Sequence, residues 1–482
     1  MFFSRARTAT LLLSCCIASL PSGRAFSRNP PPFRTSSSSR RTRFRPARSW
    51  TSLWGEPRPD QDAGSIREPV ETADTRWALW PALPIAPYGR RKTIRKEVVP
   101  EKIWTFDQLQ GTLYVHVPVR MTIVKLEAGG LFVYAPVAPT RECLALVREL
   151  EEEHGEVSTI VLPTVAVEHK VFAGVFSRSF PKASVWVAPA QYSFPINLPL
   201  EFLGFPLDGR TRILPASSKE CRGTPDAPPW LAEFEHEILG PLDDAKGNGA
   251  FVETAFFHKT TGTLLVVDTI VKVPDSPPAI VEDDTRALLY HARDNFRQVV
   301  TDTPEIRRKG WKRISLFALF FQPPFLDVVE VPQCFLDAAE TPEPMKKLGW
   351  AGLYPFEWDN QAVERSFQAL RSGTGLLVAP ILQVLILNRQ PETVIRWADR
   401  VSAWKFSRII PCHFSSPIEA GPAEFRSAFN FLEDVAVDIS PIVGTQGARP
   451  LAEDFQALLD AEAGLVKSGS IFDRPKKVRR LF

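Results

Sequence analysis

The run Ser158–Leu162 (STIVL) constrains this chain most, because it reads as a strand covered on both faces. Before it lies a helical pattern, with Thr140 as N-cap, Leu144, Val147 and Leu150 on one face, and Gly155 as the stop. After it come the segment Pro163-Thr164-Val165-Ala166-Val167-Glu168-His169-Lys170, a second helical stretch ending near Pro181, and the strand Ser184–Val187. Strand, helix and strand in that order imply a parallel core, with any functional edge at the carboxyl ends of the strands.

Upstream, Thr112–Pro118, Met121–Leu126 and Leu131–Pro136 are short β-branched runs, the last two separated by Gly129-Gly130, and they predict an antiparallel meander. Downstream, Phe251–Phe257 and Thr263–Val267 form a hairpin whose second strand ends in Asp268. Residues 283–300, 359–372 and 392–404 read as helices, with Asp283-Asp284 expected to cap the first. Ser407–Ile410 reads as a strand followed at once by Pro411-Cys412-His413, and 451–466 as a last amphipathic helix. The apolar stretch Gly373–Asn388 is broken by Pro380 and short for a membrane span, so a buried helix or strand pair is expected.

Charge divides the chain in two. Residues 1–55 carry ten arginines and no acid, so the +3 total over 58 basic and 55 acidic residues hides a body of about −7. An acidic body argues against nucleic acid as a partner. Arg5 and Arg7, the apolar core Ala9–Leu20, and then an acid-free Ser/Arg/Pro stretch with Ala25-Phe26 at the junction resemble the two-part plastid presequence of algae with complex plastids. A secretory signal with a polar tail is the plainer reading, but it explains neither the acid-free run nor the four scattered cysteines (143, 221, 334 and 412), which have no CxxC pair. The expected organisation is a presequence over 1–55, a disordered linker over 56–76, one large α/β domain over 77–450, and a C-terminal helix and tail over 451–482. The expected location is the plastid stroma, with no transmembrane span in the mature chain.

Glu168-His169, Asp268 and His413 each stand just after a predicted strand. In that order they resemble the metallo-β-lactamase superfamily over roughly residues 110–430. Trp104-Thr105-Phe106-Asp107-Gln108, Val117-Pro118-Val119-Arg120-Met121, Tyr134-Ala135-Pro136-Val137-Ala138-Pro139-Thr140, Glu168-His169-Lys170 and Phe180-Pro181 resemble more closely one of its subgroups, the DUF4336 family. The resemblance implies a four-layer αββα sandwich and no particular activity. The superfamily's motif, His-x-His-x-Asp-His, falls here on Thr164-x-Ala166-x-Glu168-His169, so the first two metal ligands are missing. His236 and His258 lack the context of the third. What survives is the second site: Glu168 for the aspartate, His169, Asp268 as the bridging carboxylate and His413 as the terminal imidazole. These four could hold one divalent ion (zinc, iron or manganese), and an activated water would attack an ester, thioester or phosphoester. The rival reading is a binding or scaffold protein without metal, whose partner is a plastid protein rather than a small-molecule substrate. Taken singly, each residue has a structural use: His169 bonded to a neighbour, Asp268 capping a turn, His413 packed in a core. His116 reads as a core or edge residue and Cys412 as packing.

Overall fold

A computed structural model describes residues 72–77, 85–87, 89–112, 114–192, 198–225, 227–243, 250–321, 323–433, 448–469 and 471–473. The presequence, residues 56–71 of the expected linker and residues 474–482 of the expected tail lie outside them.

Strands β1 (Ile94–Val99), β2 (Ile103–Thr112), β3 (Val115–Lys125) and β4 (Leu131–Tyr134) form the antiparallel meander. Helix α1 (Arg141–His154), β5 (Val157–Leu162), α2 (Val167–Arg178) and β6 (Ser184–Val187) follow, with β7 (Thr211–Ile213) at the edge, and β4 to β7 are parallel. These seven strands make one sheet in chain order. A second sheet begins with β8 (Phe234–Asp243), β9 (Ala250–His258) and β10 (Thr263–Val266). The chain then leaves for a helical insertion containing α3 (Arg286–Ala292), α4 (Pro304–Phe320) and α5 (Asn360–Leu370). It returns through α6 (Pro391–Ser402) to β11 (Arg408–Pro411), which pairs parallel with β10, then β12 (Ile418–Glu419) and α7 (Pro422–Ser427).

Strand alternation assigns the layers. Phe132, Tyr134, Val161 and Trp186 of the first sheet meet Phe234, Val252, Phe256, Leu265 and Ile410 of the second in one buried core. The other face of the first sheet, with Val119, Met121, Ile123, Leu131, Val133 and Ile160, is covered by Cys143, Val147 and Leu150 of α1 and Phe176 of α2. The other face of the second sheet, with Ala255, Phe257, Leu264, Val266 and Ile409, is covered by Val394, Trp397 and Val401 of α6 and Phe425 of α7. The order is helix, sheet, sheet, helix: the αββα sandwich. Thr140 caps α1 as expected, its Oγ1 accepting from Cys143 N at 3.1 Å inside the protein. Thr140→Ala should cost about 1 kcal/mol in urea unfolding.

Several local expectations are corrected. The runs 112–118 and 121–126 are one strand, because Pro118 sits in the β2–β3 ladder opposite Leu109 and does not break it. β1 and β2, rich in charged and polar residues, were not foreseen. Helix 283–300 shrinks to α3: Thr285 stands at its N-cap without a side-chain bond, and of the expected pair only Asp284 serves the helix start, its Oδ1 accepting from Arg286 N at 3.3 Å while its carboxylate pairs with the Arg286 side chain. The longer helix is α4, capped by Thr303. It lies so close to α3 that a Cβ on Gly310 would stand 1.9 Å from Leu288 O. Gly373–Asn388 agrees with its expectation of a buried helix or strand pair: it holds the buried strand Leu376–Leu377, paired with Val271–Lys272, and the helix Pro380–Leu385. Among the described residues no helix is long and apolar enough to cross a membrane.

Candidate metal centre

Three loop ends meet at one rim of the sandwich. The loop after β5 runs straight into α2, so His169 lies in that helix's first turn and is fully buried. Asp268 follows β10, and His413 follows β11. Because β10 and β11 are hydrogen-bonded neighbours in parallel, residues just past their ends emerge side by side. His169 Nε2 and His413 Nε2 are 3.4 Å apart, and His413 Nε2 is 3.1 Å from Asp268 Oδ1. One ligand atom from each of the three lies within 4.8 Å of the others. That group does not include Glu168, which neighbours His169 on the first turn of α2.

The charges agree with the geometry. Burial pushes the His169 imidazole down to about 3, with His413 adding to the effect, so it stays neutral and can serve as a ligand. Burial also works against a charged His413, but its hydrogen bond to Asp268 and that carboxylate's charge outweigh it and leave its pKa raised. Burial disfavours the Asp268 anion, and His413 more than compensates, leaving its pKa lowered. Glu168 is raised, first by burial and then by the charge of Asp268. Lys170 is pushed down to about 8 by burial, and its Nζ donates to Tyr192 O at 2.6 Å.

The donor set fits a divalent ion. Two ligands at the usual 2.0–2.1 Å from a tetrahedral centre stand about 3.3–3.4 Å apart, close to the 3.4 and 3.1 Å of the two edges that share His413, while the edge between His169 and Asp268 lies within 4.8 Å. The far nitrogen of His413 is fixed as such sites require, with Nδ1 2.8 Å from Pro118 O. Side-chain exposures of 13% for His413 and 18% for Asp268 leave a way in from solvent.

Two charged residues that the sequence reading did not assign to the site hold its loops. Arg120 on β3 donates from Nη1 to Pro411 O at 2.7 Å and from Nη2 to Phe414 O at 3.1 Å, bracketing His413, and its Nε is 2.7 Å from Asp107 Oδ1. Glu253 on β9 accepts from the backbone of Val267, Asp268 and Thr269. The signal was there, since each is a charged residue with apolar residues close by on its strand, Val119 and Met121 beside Arg120 and Val252 and Ala255 near Glu253.

The remaining candidates lie elsewhere. His236 is bound to Ser218 Oγ at 2.8 Å and Pro215 O at 3.0 Å, and His258 to Thr261 Oγ1 at 2.8 Å. His116 is buried beside Tyr114, and Cys412 faces the core between the sheets. Thr164, where the superfamily motif has its first histidine, turns its Oγ1 onto Ala166 N at 3.1 Å.

Fold and site together define an αββα sandwich with a two-histidine, one-carboxylate cluster on its rim. The family described as a domain of unknown function (DUF4336) matches residues 100–431, and the chain belongs to it. No curated protein matches. Among solved structures, the chain is similar to the flavodiiron core Flv1 from Synechocystis sp. PCC6803, at 10% identity and TM-score 0.33 over 71% of this chain and 62% of that one. It is also similar to a flavo-diiron protein variant from Thermotoga maritima, at 9% identity and TM-score 0.34 over 72% and 62%. The metallo-β-lactamase FIM-1 from Pseudomonas aeruginosa, in its mono-zinc form, gives 9% identity and TM-score 0.26 over 46% and 95%. The chain thus spans about three fifths of the flavodiiron chains. The fold assignment stands on the layer order and not on these low-scoring likenesses.

Proposed function

We propose that this is a plastid protein that holds one divalent ion through His169, Asp268 and His413 and hydrolyses an ester, thioester or phosphoester. The observation that carries this reading is the close spacing of two imidazole nitrogens and a carboxylate oxygen, delivered by three separate elements. When bound, such an ion supplies a polarised water and a Lewis acid. The chain's own residues do the rest. His169 stays neutral because it is buried, and Pro118 O fixes the orientation of His413. Glu168, its pKa raised, is a carboxyl suited to accept or hold a proton beside the cluster. Localisation in the plastid rests on the Arg/Ser-rich, acid-free N-terminal stretch.

A second reading, a binding or scaffold protein without metal, is favoured by one observation: Thr164 and Ala166 stand where two ligands are needed, and Thr164 is used up in a local turn. Elemental mass spectrometry on the chain from about residue 57, beside a His169→Ala, His413→Ala double variant, separates the two. Near-stoichiometric zinc, iron or manganese that disappears in the variant is expected and justifies a hydrolase screen. No metal in either protein overturns the first reading in favour of the second.

A further inference from the structure

Glu253 is fully buried in the middle of β9, yet among the described residues its carboxylate forms no ion pair with a basic side chain; its hydrogen-bond partners are one short stretch of chain. Oε1 accepts from Val267 N at 2.9 Å and Thr269 Oγ1 at 2.5 Å. Oε2 accepts from Asp268 N at 2.8 Å and Thr269 N at 2.9 Å. Three consecutive amides and a hydroxyl close on one carboxylate, so the turn that carries Asp268 is moulded around it. A buried anion left without such donors would be very costly, which keeps the turn from relaxing into another shape.

The same strand position holds the other half of the site. The backbone of Glu253 forms an antiparallel bridge with Thr164, and Thr254 N donates to Pro163 O at 2.7 Å. Pro163 and Thr164 lead directly into α2 and His169. One residue therefore touches the chain segment before one proposed ligand with its backbone and the segment around another with its side chain.

We infer that Glu253 is the positioning residue of the proposed metal centre, fixing Asp268 relative to His169 through the backbone of residues 267–269. The inference rests on the mononuclear-site reading above. It predicts that the affinity and coordination geometry of the centre depend on a carboxylate that touches no ion. Glutamine at 253 would keep the size but aim an N–H₂ group at amide donors. Thr269→Ala would remove one of the four bonds and leave the fold intact.

The test uses cobalt(II) added to the metal-stripped chain, read by its visible absorption and by titration. For Glu253→Gln the expected result is about a tenfold to hundredfold loss of cobalt affinity with altered band intensities. For Thr269→Ala it is a smaller loss in the same direction. Thr140→Ala, which weakens the distant cap of α1, serves as the control for general destabilisation and should bind cobalt as the unsubstituted chain does. If Glu253→Gln and Thr269→Ala both bind with unchanged affinity and spectrum while His169→Ala does not bind, the positioning role is overturned and the centre stands. If Thr140→Ala loses as much affinity as they do, the role is merely structural and the inference is again overturned. If the unsubstituted chain takes up no cobalt, or His169→Ala binds it equally well, the metal-centre reading fails and takes the inference with it.

Discussion

Arg120→Ala is expected to cost about 3 kcal/mol of folding stability and to release the loop that carries His413. The guanidinium is buried and makes two different kinds of contact. Towards Asp107 it forms an ion pair, with Nε 2.7 Å from Oδ1 and a single hydrogen bond donated by Nη2 to Oδ2 at 3.0 Å. Towards the loop it donates to Pro411 O and Phe414 O. Truncation leaves a half-buried carboxylate and two inward-facing carbonyls without their donor, and an unmet buried acceptor costs about 1–3 kcal/mol. A double replacement, Arg120→Met with Asp107→Leu, removes the stranded carboxylate but not the stranded carbonyls, so it should recover only part of the loss. Arg120→Lys keeps the charge but cannot span both directions at once, and should fall between. Urea unfolding of the four proteins checks the order. A loss under about 1 kcal/mol for Arg120→Ala would mean the loop is held by the packing of Phe414 on Trp311 instead (ring centroids 5.8 Å apart).

The second large effect is a loss of stability in mild acid. Burial pushes His116, His236 and His258 down to about 4 and His169 to about 3. In the unfolded chain each takes its proton near pH 6.5. Between about pH 6.5 and 4 the unfolded state therefore binds more protons, and stability falls as pH falls. Glu253, raised to about 7 by burial and by Asp268, and Asp454, raised to about 6 chiefly by burial, act the other way. They keep protons in the folded state that the unfolded chain releases, as do Glu168 and His413, whose pKa values are also raised. Four histidines against this smaller opposition leave roughly one to two net protons, or roughly 2 kcal/mol per pH unit near pH 5.5. Metal-stripped protein should show a urea midpoint well below its neutral value at about pH 5.5. A midpoint that holds or rises on acidification would mean that the histidines titrate freely in the folded chain.

Much of the sandwich was legible because its strands announce themselves by β-branched alternation and its helices by caps, as Thr140 and Gly155 do for α1. His169, Asp268 and His413 were legible for a related reason: a strand end fixes where the next residue emerges, and that position can be read locally. Their convergence could not be read that way. It depends on β11 lying beside β10, a pairing across the whole insertion that no local pattern encodes. Glu253 and Arg120 were missed for the same cause. A charge inside a strand signals burial with a partner, but the loop groups that these two hold are mostly backbone amides and carbonyls 14 to 16 and 291 to 294 residues away, supplied only by the fold. Pro118 misled in the opposite sense, since proline argues against a ladder position and here its carbonyl holds His413.

The parallel pairing of β10 with β11 also bears on when the centre could come into being. His169 and His413 are 244 residues apart along the chain, and Asp268 joins His413 only after the helical insertion has closed behind it. Contacts of such long range are the slow ones to form, because the entropy of closing the loop is lost before anything is gained. An ion could therefore find its full set of donors only at the end of assembly. Uptake would then report completion of folding rather than nucleate it, and the nascent chain would pass through its early stages indifferent to the metals around it.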